Sequence, residues 1–202
     1  MSSTVSVLIL AAGSSSRMGK VKQLLPWKES TLLEHTIKIA KLSKACDVIV
    51  VLGSNASLIM ESIKTTEVVF LENSNWKGGL GTSISCGIDY LLNYNKKSDA
   101  VLILLADQAL MDSEHINKII DLYSTGDSDL IGTRYEDKIG VPALFERNYF
   151  PDLLKLDGDR GAQLFLKKLG DKVLGLNPKG KAYDIDTLED YNRLLKLSDN
   201  IS

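Results

Sequence analysis

The sequence predicts a three-layer α/β/α fold, in which helices cover both faces of a doubly wound, mainly parallel, Rossmann-like sheet. Apolar, β-branched runs without helical period recur along the chain, and segments of helical period lie between them. Strands that alternate with helices in this way are typical of parallel sheets with right-handed crossovers. The 202 residues are enough for one domain, spanning 1–202, with a substantial core.

The predicted elements follow one another at regular intervals. The predicted strands are residues 5–10, 47–52, 67–71, 99–105 and 128–134. The predicted helices are residues 31–42, 56–64, 82–92 and 113–123. Thr31 and Glu34 have the spacing of a capping box, and Asp112 is placed to cap the fourth helix.

Residues 5–26, VSVLILAAGSSSRMGKVKQLLP, join the first strand to a loop suited to a polyphosphate. Gly13 and the two alanines before it let a ligand approach the backbone, and the N–H groups of such a turn can form an anion-binding concavity. Arg17, Lys20 and Lys22 add positive charge, which phosphate oxygens need besides hydrogen-bond donors. We therefore predict a phosphate-binding loop at the carboxyl end of the first strand.

The spacing of this loop excludes two commoner phosphate loops. A P-loop requires GxxxxGK[ST], but Gly13 and Gly19 lie one residue too far apart and Val21 replaces the hydroxyl residue. A dinucleotide fingerprint requires GxGxxG, and Ser15 stands where its second glycine belongs.

Asp107 follows the most apolar predicted strand. A carboxylate in that position lies in the crevice where parallel sheets bind ligands. Because magnesium prefers hard oxygen ligands and is commonly held by one or two carboxylates plus substrate phosphates, Asp107 is the first predicted metal ligand. A turn or cap role is the alternative, although Asp112 already serves the next helix.

Residues 183–187 are predicted to form a last strand, which would turn Asp184 and Asp186 to the same face. Two carboxylates on one face repel each other unless a cation joins them, so a metal accounts for the pair. The alternative is that Asp186 only begins the closing helix, for which Thr187 and Asp190 have capping spacing.

The phosphate loop resembles the LAAGxSxRMGxxK loop of a family of nucleotidyltransferases, and the chain is most similar to its molybdenum cofactor cytidylyltransferases. The matching residues are Leu10, Ala11, Ala12, Gly13, Ser14, Ser16, Arg17, Met18, Gly19, Lys22, Leu24, Leu25 and Pro26. The resemblance implies the fold of the nucleotide-diphospho-sugar transferases. It assigns nucleotide contacts to Leu10, Ala11, Ala12, Gly13, Ser14, Arg17, Lys22, Gly79, Gly81, Ser83 and Asp107.

Further stretches resemble the same family. Residues 76–83 fit W-x-x-G-x-G-x-S, which without the resemblance is equally well explained as an ordinary glycine loop. Residues 139–146 resemble the G-x-P-x-L-F segment of the family, and residues 153–163 resemble its L-x-G-D-x-G-A-R stretch. Residues 105–108 match the LADQ motif of the family. From these stretches the resemblance assigns acceptor contacts to Gln108, Gly140, Pro142, Asp159 and Gly161.

The D-I-D-T-P-E-D-Y motif of the family matches residues 184–191 and implies that Asp186 is the second magnesium ligand, with Asp184 nearby. Three positions depart from the family. Ala109, Gln163 and Leu188 stand where proline, arginine and proline are usual. Gln163 thereby removes a cation that could meet the acceptor's phosphate. Arg160 is a candidate substitute, although without the resemblance Asp157, Asp159 and Arg160 are better explained as a solvated turn.

The predicted chemistry is direct transfer between two bound substrates, because no nucleophile of the chain's own is evident and such transfer depends on positioning and charge neutralisation. Arg17, Lys22, Asp107 and Asp186 are the predicted catalytic residues, and Mg²⁺ is the cofactor. The resemblance implies transfer of a cytidylyl group from CTP to a molybdopterin-type acceptor with release of pyrophosphate. It also implies transient contact with molybdenum enzymes or their chaperones.

Other functions stay open on the sequence alone. The LAAG form of the loop favours CTP, whereas LAGG is typical of the guanylyl relatives, so guanylyl transfer is the nearest alternative. A sugar phosphate or polyol phosphate is an alternative acceptor. Asp184-Ile185-Asp186 is also formally the DxD motif of a glycosyltransferase, and a non-catalytic nucleotide-binding module is the last alternative.

Composition limits the partners. The net charge of −2 gives no reason to expect nucleic-acid or membrane-surface binding, and the absence of a long apolar segment predicts a cytoplasmic protein. Cys46 and Cys86 are predicted to be free thiols, since two distant cysteines form no disulfide framework. His35 and His115 lie in predicted helices outside any triad pattern, so both are expected to be structural or exposed.

Overall fold

A seven-stranded sheet lies at the centre of the part of the chain that the structure describes. The computed structural model describes residues 3–15, 18–64, 67–136, 138–159 and 161–199. The strands are β1 (Val5–Ala11), β2 (Pro26–Trp27), β3 (Ser30–Thr31), β4 (Asp47–Leu52), β5 (Val69–Glu72), β6 (Ala100–Leu105), β7 (Leu130–Arg134), β8 (Ile139–Glu146) and β9 (Leu174–Leu176). The sheet order is β5-β4-β1-β6-β8-β7-β9, and β2 and β3 form a separate hairpin. Only β8 runs against the others, pairing antiparallel with β6 and β7.

Helices cover both faces of this sheet. They are α1 (Leu32–Lys41), α2 (Ala56–Ser62), α3 (Leu80–Asn93), α4 (Ser113–Ser124), α5 (Phe150–Leu153), α6 (Gly161–Leu169) and α7 (Leu188–Asp199). Buried side chains of α1, α2 and α4 pack with Val7 and Ile9 on one face. Those of α3, α5 and α6 pack with Leu8 and Leu10 on the other. Because side chains alternate along β1, this one strand contributes to the cores on both faces of the sheet. Helices on both faces confirm the predicted three-layer fold.

None of the helices within the described ranges is long and apolar enough to cross a membrane. The described cysteines, Cys46 and Cys86, are both free, as the sequence predicts.

The predicted helix caps are confirmed. Glu34 N donates to Thr31 Oγ1 at 3.2 Å while Thr31 N donates to Glu34 Oε2 at 3.1 Å, which completes the capping box of α1. Asp112 accepts from His115 N at 3.0 Å at the start of α4. Before α7, Thr187 N donates to Asp190 Oδ2 at 3.1 Å.

The predicted strand at residues 183–187 is wrong. The segment joins no sheet in the structure, and Ile185 N donates a 3.1 Å hydrogen bond to Asp107 O, just beyond the end of β6. It crosses the end of the sheet and does not extend an edge. The alternation that suggested a strand is present, because Ile185 is buried while Asp184 and Asp186 are exposed. Burial of the Ile185 side chain alone produces this alternation, without hydrogen bonds to a neighbouring strand.

His115 joins α4 to β7, in keeping with its predicted structural role. It is 4% exposed, and its Nε2 lies 3.0 Å from Thr133 Oγ1. Thr133 Oγ1 donates to Pro142 O at 2.8 Å, so the hydroxyl accepts from His115 and the proton of the neutral ring is on Nε2. Burial lowers the pKa of His115 to about 4, which makes the neutral ring the folded form at neutral pH.

This burial predicts a pH-dependent stability. The unfolded state, with an ordinary histidine pKa of 6.5, takes up the proton first, so the free energy of unfolding falls as the pH drops from 6.5 towards 4. Between pH 7 and pH 4.5 we expect His115 to account for a loss on the order of 2 kcal/mol. Urea unfolding of the native protein and of His115→Gln at both pH values measures it. An equal loss in the two proteins would contradict the assignment.

Candidate active site

A cavity of about 370 Å³ opens at the carboxyl ends of β1 and β6. These strands are parallel neighbours, with Leu10 beside Leu105 in register, so their following loops meet at one edge. Predicted site residues that line the cavity are Leu10, Ala11, Ala12, Gly13, Lys22, Asp107, Asp184 and Asp186. Ser14 is exposed and does not line it. Arg17, Ser16 and Arg160 lie outside the described residues, so the predicted roles of Arg17 and Arg160 stay predictions.

Lys22 lies between the predicted metal carboxylates. Its Nζ donates to Asp107 Oδ2 and to the main-chain oxygen of Ile185, both at 2.6 Å. Asp186 Oδ1 lies 3.9 Å from the same nitrogen. The side chains of Lys22 and Asp107 are 17% and 21% exposed, against 58% for Asp186. The Lys22 ammonium therefore places a positive charge between Asp107 and Asp186, the two predicted magnesium ligands.

Asp107 has an oxygen suited to a further cation. Its Oδ1 is buried and, among the described residues, has no hydrogen-bond partner. Burial raises the pKa of this carboxyl, the Lys22 ammonium opposes the rise, and the nearby Asp184 and Asp186 add to it. A buried carboxylate oxygen without a partner is costly unless a donor or cation reaches it.

The donor set fits a divalent metal that arrives with phosphate. Within the described ranges, no three Asp, Glu, His or Cys side chains form a ready-made metal site. Two carboxylates are nevertheless enough for magnesium when substrate phosphates and waters complete its shell. Asp107 and Asp186 could thus hold the ion, with Asp184 nearby on the cavity wall.

Gln23 holds the phosphate loop and was missed by the sequence reasoning. Its amide nitrogen donates to Ala11 O at 2.7 Å and to Gly13 O at 3.0 Å, and the residue is 4% exposed. Ser15 Oγ accepts from Lys22 N at 3.1 Å in the same loop. A glutamine directly before the apolar pair that ends the motif was the available signal, since a buried amide must find several partners.

The glycine loop before α3 packs against the loop before α6. Gly81 N donates to Gly158 O at 2.8 Å, and Gly158 N donates to Gly78 O at 2.9 Å. A Cβ on Gly79 would lie 2.3 Å from the Gly158 carbonyl carbon, and one on Gly81 would lie 2.5 Å from Asp157 O. Glycine at both positions is therefore explained by backbone contact between the loops.

The nucleotide contacts predicted for Gly79, Gly81 and Ser83 remain predictions. None of these residues lines the 370 Å³ cavity, whereas Leu80, between the two glycines, does. Ser83 is 1% exposed, and its Oγ accepts from Asn73 Nδ2 at 3.1 Å.

A second cavity of about 150 Å³ adjoins the first and shares Leu80, Leu105 and Asp184 with it. Gln108, Gly140 and Asp159, all predicted acceptor residues, line it. The other two residues predicted to contact the acceptor, Pro142 and Gly161, do not line this cavity. Pro142 is buried within β8, and Gly161 is the first residue of α6.

Gln108 connects the two cavities. The residue is 2% exposed, and its Nε2 donates to Asp184 Oδ1 at 2.9 Å and to Tyr135 Oη at 2.7 Å. Tyr135 Oη in turn donates to Val141 O. A carboxylate partner fixes the amide orientation, because only the nitrogen can donate to Asp184. Gln108 thus holds Asp184 against the wall that the cavities share.

Comparison with known proteins places this site in a family. Residues 7–173 match the model of the MobA-like NTP transferase domain. The chain belongs to the MobA-like NTP transferase family. Enzymes of this family are nucleotidyltransferases that bind a nucleoside triphosphate and a phosphate acceptor, typically with a divalent metal. The predicted fold and reaction class are thereby confirmed.

Relatives in this family carry different names. The purine catabolism protein PucB of Bacillus subtilis is 31% identical, over 92% of this chain and 93% of its own. Nicotine blue oxidoreductase of Paenarthrobacter nicotinovorans is 26% identical, over 95% of this chain and 96% of its own. Molybdenum cofactor cytidylyltransferase of Escherichia coli is 33% identical, but over 43% of this chain and 45% of its own.

A solved structure resembles the whole chain. Rv0371c of Mycobacterium tuberculosis has a TM-score of 0.84 at 26% identity, covering 97% of this chain and 100% of that chain. A second structure of Rv0371c, at a TM-score of 0.76 and 27% identity, is a complex with manganese.

Asp107→Asn tests whether the buried carboxylate is essential. The variant keeps the shape of the side chain but loses the charge that faces Lys22, so we expect turnover to fall on the order of 10²–10³, as for loss of one transition-state electrostatic partner. Steady-state pyrophosphate release measures it. The matched control is Asp121→Asn, whose carboxylate pairs with Lys44 on the surface. Asp107→Asn with the turnover of the control would remove Asp107 from the mechanism.

Proposed function

We propose that the chain transfers the cytidylyl group of CTP to the phosphate of a molybdopterin-type acceptor, with release of pyrophosphate and with Mg²⁺ as the metal. The observation that carries this proposal is the position of Lys22, whose ammonium lies 2.6 Å from Asp107 and 3.9 Å from Asp186 beside the phosphate loop. A cation next to two carboxylates at the end of a parallel sheet suits a metal-bound triphosphate.

In this proposal the loop at Gly13 receives the triphosphate. Gln23 fixes the carbonyls of Ala11 and Gly13, so the loop keeps its shape when a ligand binds. Lys22 is close enough to exchange a carboxylate for an oxygen of the transferred phosphate, whose charge it would then neutralise. Asp107 and Asp186 would hold magnesium, which when bound neutralises charge on the phosphates and on the departing pyrophosphate.

The acceptor occupies the smaller cavity in this proposal. The two cavities meet at Leu80, Leu105 and Asp184, so a phosphate on the acceptor side would face the nucleotide directly. Attack of that phosphate on the α-phosphorus in line with the leaving pyrophosphate requires no general base, because a phosphate monoester is largely a dianion near neutral pH.

CTP is proposed as the donor on two grounds. The loop has the LAAG form, with Ala12 close-packed at 7% exposure. The second ground is an identity of 33%, over 43% of this chain, to a relative named molybdenum cofactor cytidylyltransferase. The cytoplasmic setting and transient contact with molybdenum enzymes belong to the same proposal.

The test is a panel of donors. Pyrophosphate release is measured from CTP, GTP, ATP and UTP, each with magnesium and molybdopterin. We expect release from CTP to exceed the others by at least about tenfold, the ratio that corresponds to about 1.4 kcal/mol of differential transition-state binding. The Asp107→Asn variant provides the blank.

Other results would change the proposal in different ways. Preferential release from GTP would overturn the cytidylyl assignment and leave the transfer mechanism in place. Release with a sugar phosphate or polyol phosphate, but not with molybdopterin, would overturn the acceptor. Transfer of a sugar from a nucleotide sugar without pyrophosphate release would favour a glycosyltransferase at Asp184 and Asp186.

A further inference from the structure

We infer that Lys138 supplies the cation that receives the acceptor's phosphate, in place of the arginine that is absent at position 163. The inference rests on the proposed function and assigns one specificity-determining residue to the acceptor cavity. Lys138 lies in the connection between β7 and β8, outside the motifs that resemble the family.

The acceptor cavity needs a positive charge. A phosphate monoester brings a charge of about −1.5 to −2 near neutral pH. Asp159 and Asp184 already line the cavity, and Gln163 beside them is neutral. Lys22 is held by Asp107 in the neighbouring cavity. Among the described residues that line the acceptor cavity, Lys138 is the cation.

The connection between β7 and β8 holds Lys138 at the cavity rim. Tyr135 N donates to Lys138 O at 2.8 Å, which closes the turn, and Lys138 Nζ lies 5.7 Å from the centre of the Tyr135 ring. That ring is itself fixed, because its hydroxyl accepts from Gln108 and donates to Val141 O. The ammonium therefore rests on a side chain anchored in the wall of the same cavity.

Lys138 is also available for a ligand. It is exposed, and no salt bridge joins it to a carboxylate of the described residues. At an exposed site, the face of an aromatic ring holds an ammonium only weakly. A phosphate can therefore bind the Lys138 ammonium without breaking an ion pair.

The surroundings of Lys138 leave room for the rest of the acceptor. Lys138 and Gln163 both line a neighbouring cavity of about 540 Å³, together with Arg134 and Lys167. A phosphate bound at Lys138 could therefore belong to a larger anionic molecule whose body lies on that side of the rim.

The experiment compares three variants with the native protein. Lys138→Met removes the charge and keeps the length of the side chain, Lys138→Arg keeps the charge, and Lys138→Met with Gln163→Arg returns a cation to the same cavity wall. Lys155→Met is the control, because Lys155 is a surface lysine paired with Asp152 and lines neither cavity. The readouts are KM for molybdopterin, KM for CTP, and the Kd for molybdopterin without nucleotide.

We expect Lys138→Met to raise the molybdopterin KM and Kd about tenfold or more, the loss typical of one charge-assisted hydrogen bond. The KM for CTP should stay within about twofold, since the nucleotide lies in the other cavity. Lys138→Arg and the double variant should both recover most of the loss, which a purely structural role of Lys138 would not permit. Native molybdopterin binding by Lys138→Met, or an equal loss in CTP affinity, would overturn the inference.

Failure of the proposed acceptor is distinguishable from failure of this inference. If the native protein binds no molybdopterin, the acceptor is wrong, and inorganic phosphate becomes the probe for the same variants. Weaker phosphate binding by Lys138→Met than by the control would then support the site. Equal phosphate binding by the two would overturn it.

Discussion

The ion pair between Lys22 and Asp107 is the contact on which the arrangement of the site depends. It joins the loop after β1, the end of β6 and the segment before α7, because the same ammonium also bonds the carbonyl of Ile185. Both side chains are largely removed from solvent. A charge in such a position is tolerated only when it is paired, so each partner keeps the other in place.

The sheet explains why these groups meet. β1 and β6 are adjacent and parallel, so the chain leaves both at the same edge and the two loops share one crevice. Gln23 then ties the first loop to its own strand, and Ile185 anchors the last segment through Asp107 O. On the acceptor side of the site, the Gln108 amide donates to Asp184, which lines both cavities. Donor and acceptor are thus separated by one shared wall.

Much of the fold and of the site could be predicted from the sequence, where the pattern that indicates a feature lies within a few neighbouring residues. Strand periodicity, the capping box at Thr31 and the carboxylate at the end of β6 each depend on a few neighbouring residues, and all are found in the structure. The last strand was wrong because buried and exposed residues alternate around Ile185 without any partner strand. Contacts between distant segments left no local pattern. The packing of Gly79 on residue 158 and the position of Lys138 beside the acceptor cavity both depend on tertiary structure.

A crystal structure with a nonhydrolysable CTP analogue and magnesium would show whether Lys22 exchanges Asp107 for the nucleotide. We expect the analogue to lie in the 370 Å³ cavity and Lys22 Nζ to leave Asp107 for an oxygen of the α-phosphate. Asp107 should then contact the metal through the oxygen that has no partner among the described residues. A structure in which the nucleotide is bound while Lys22 still pairs with Asp107, and no metal contacts that carboxylate, would rule out these roles of Lys22 and Asp107.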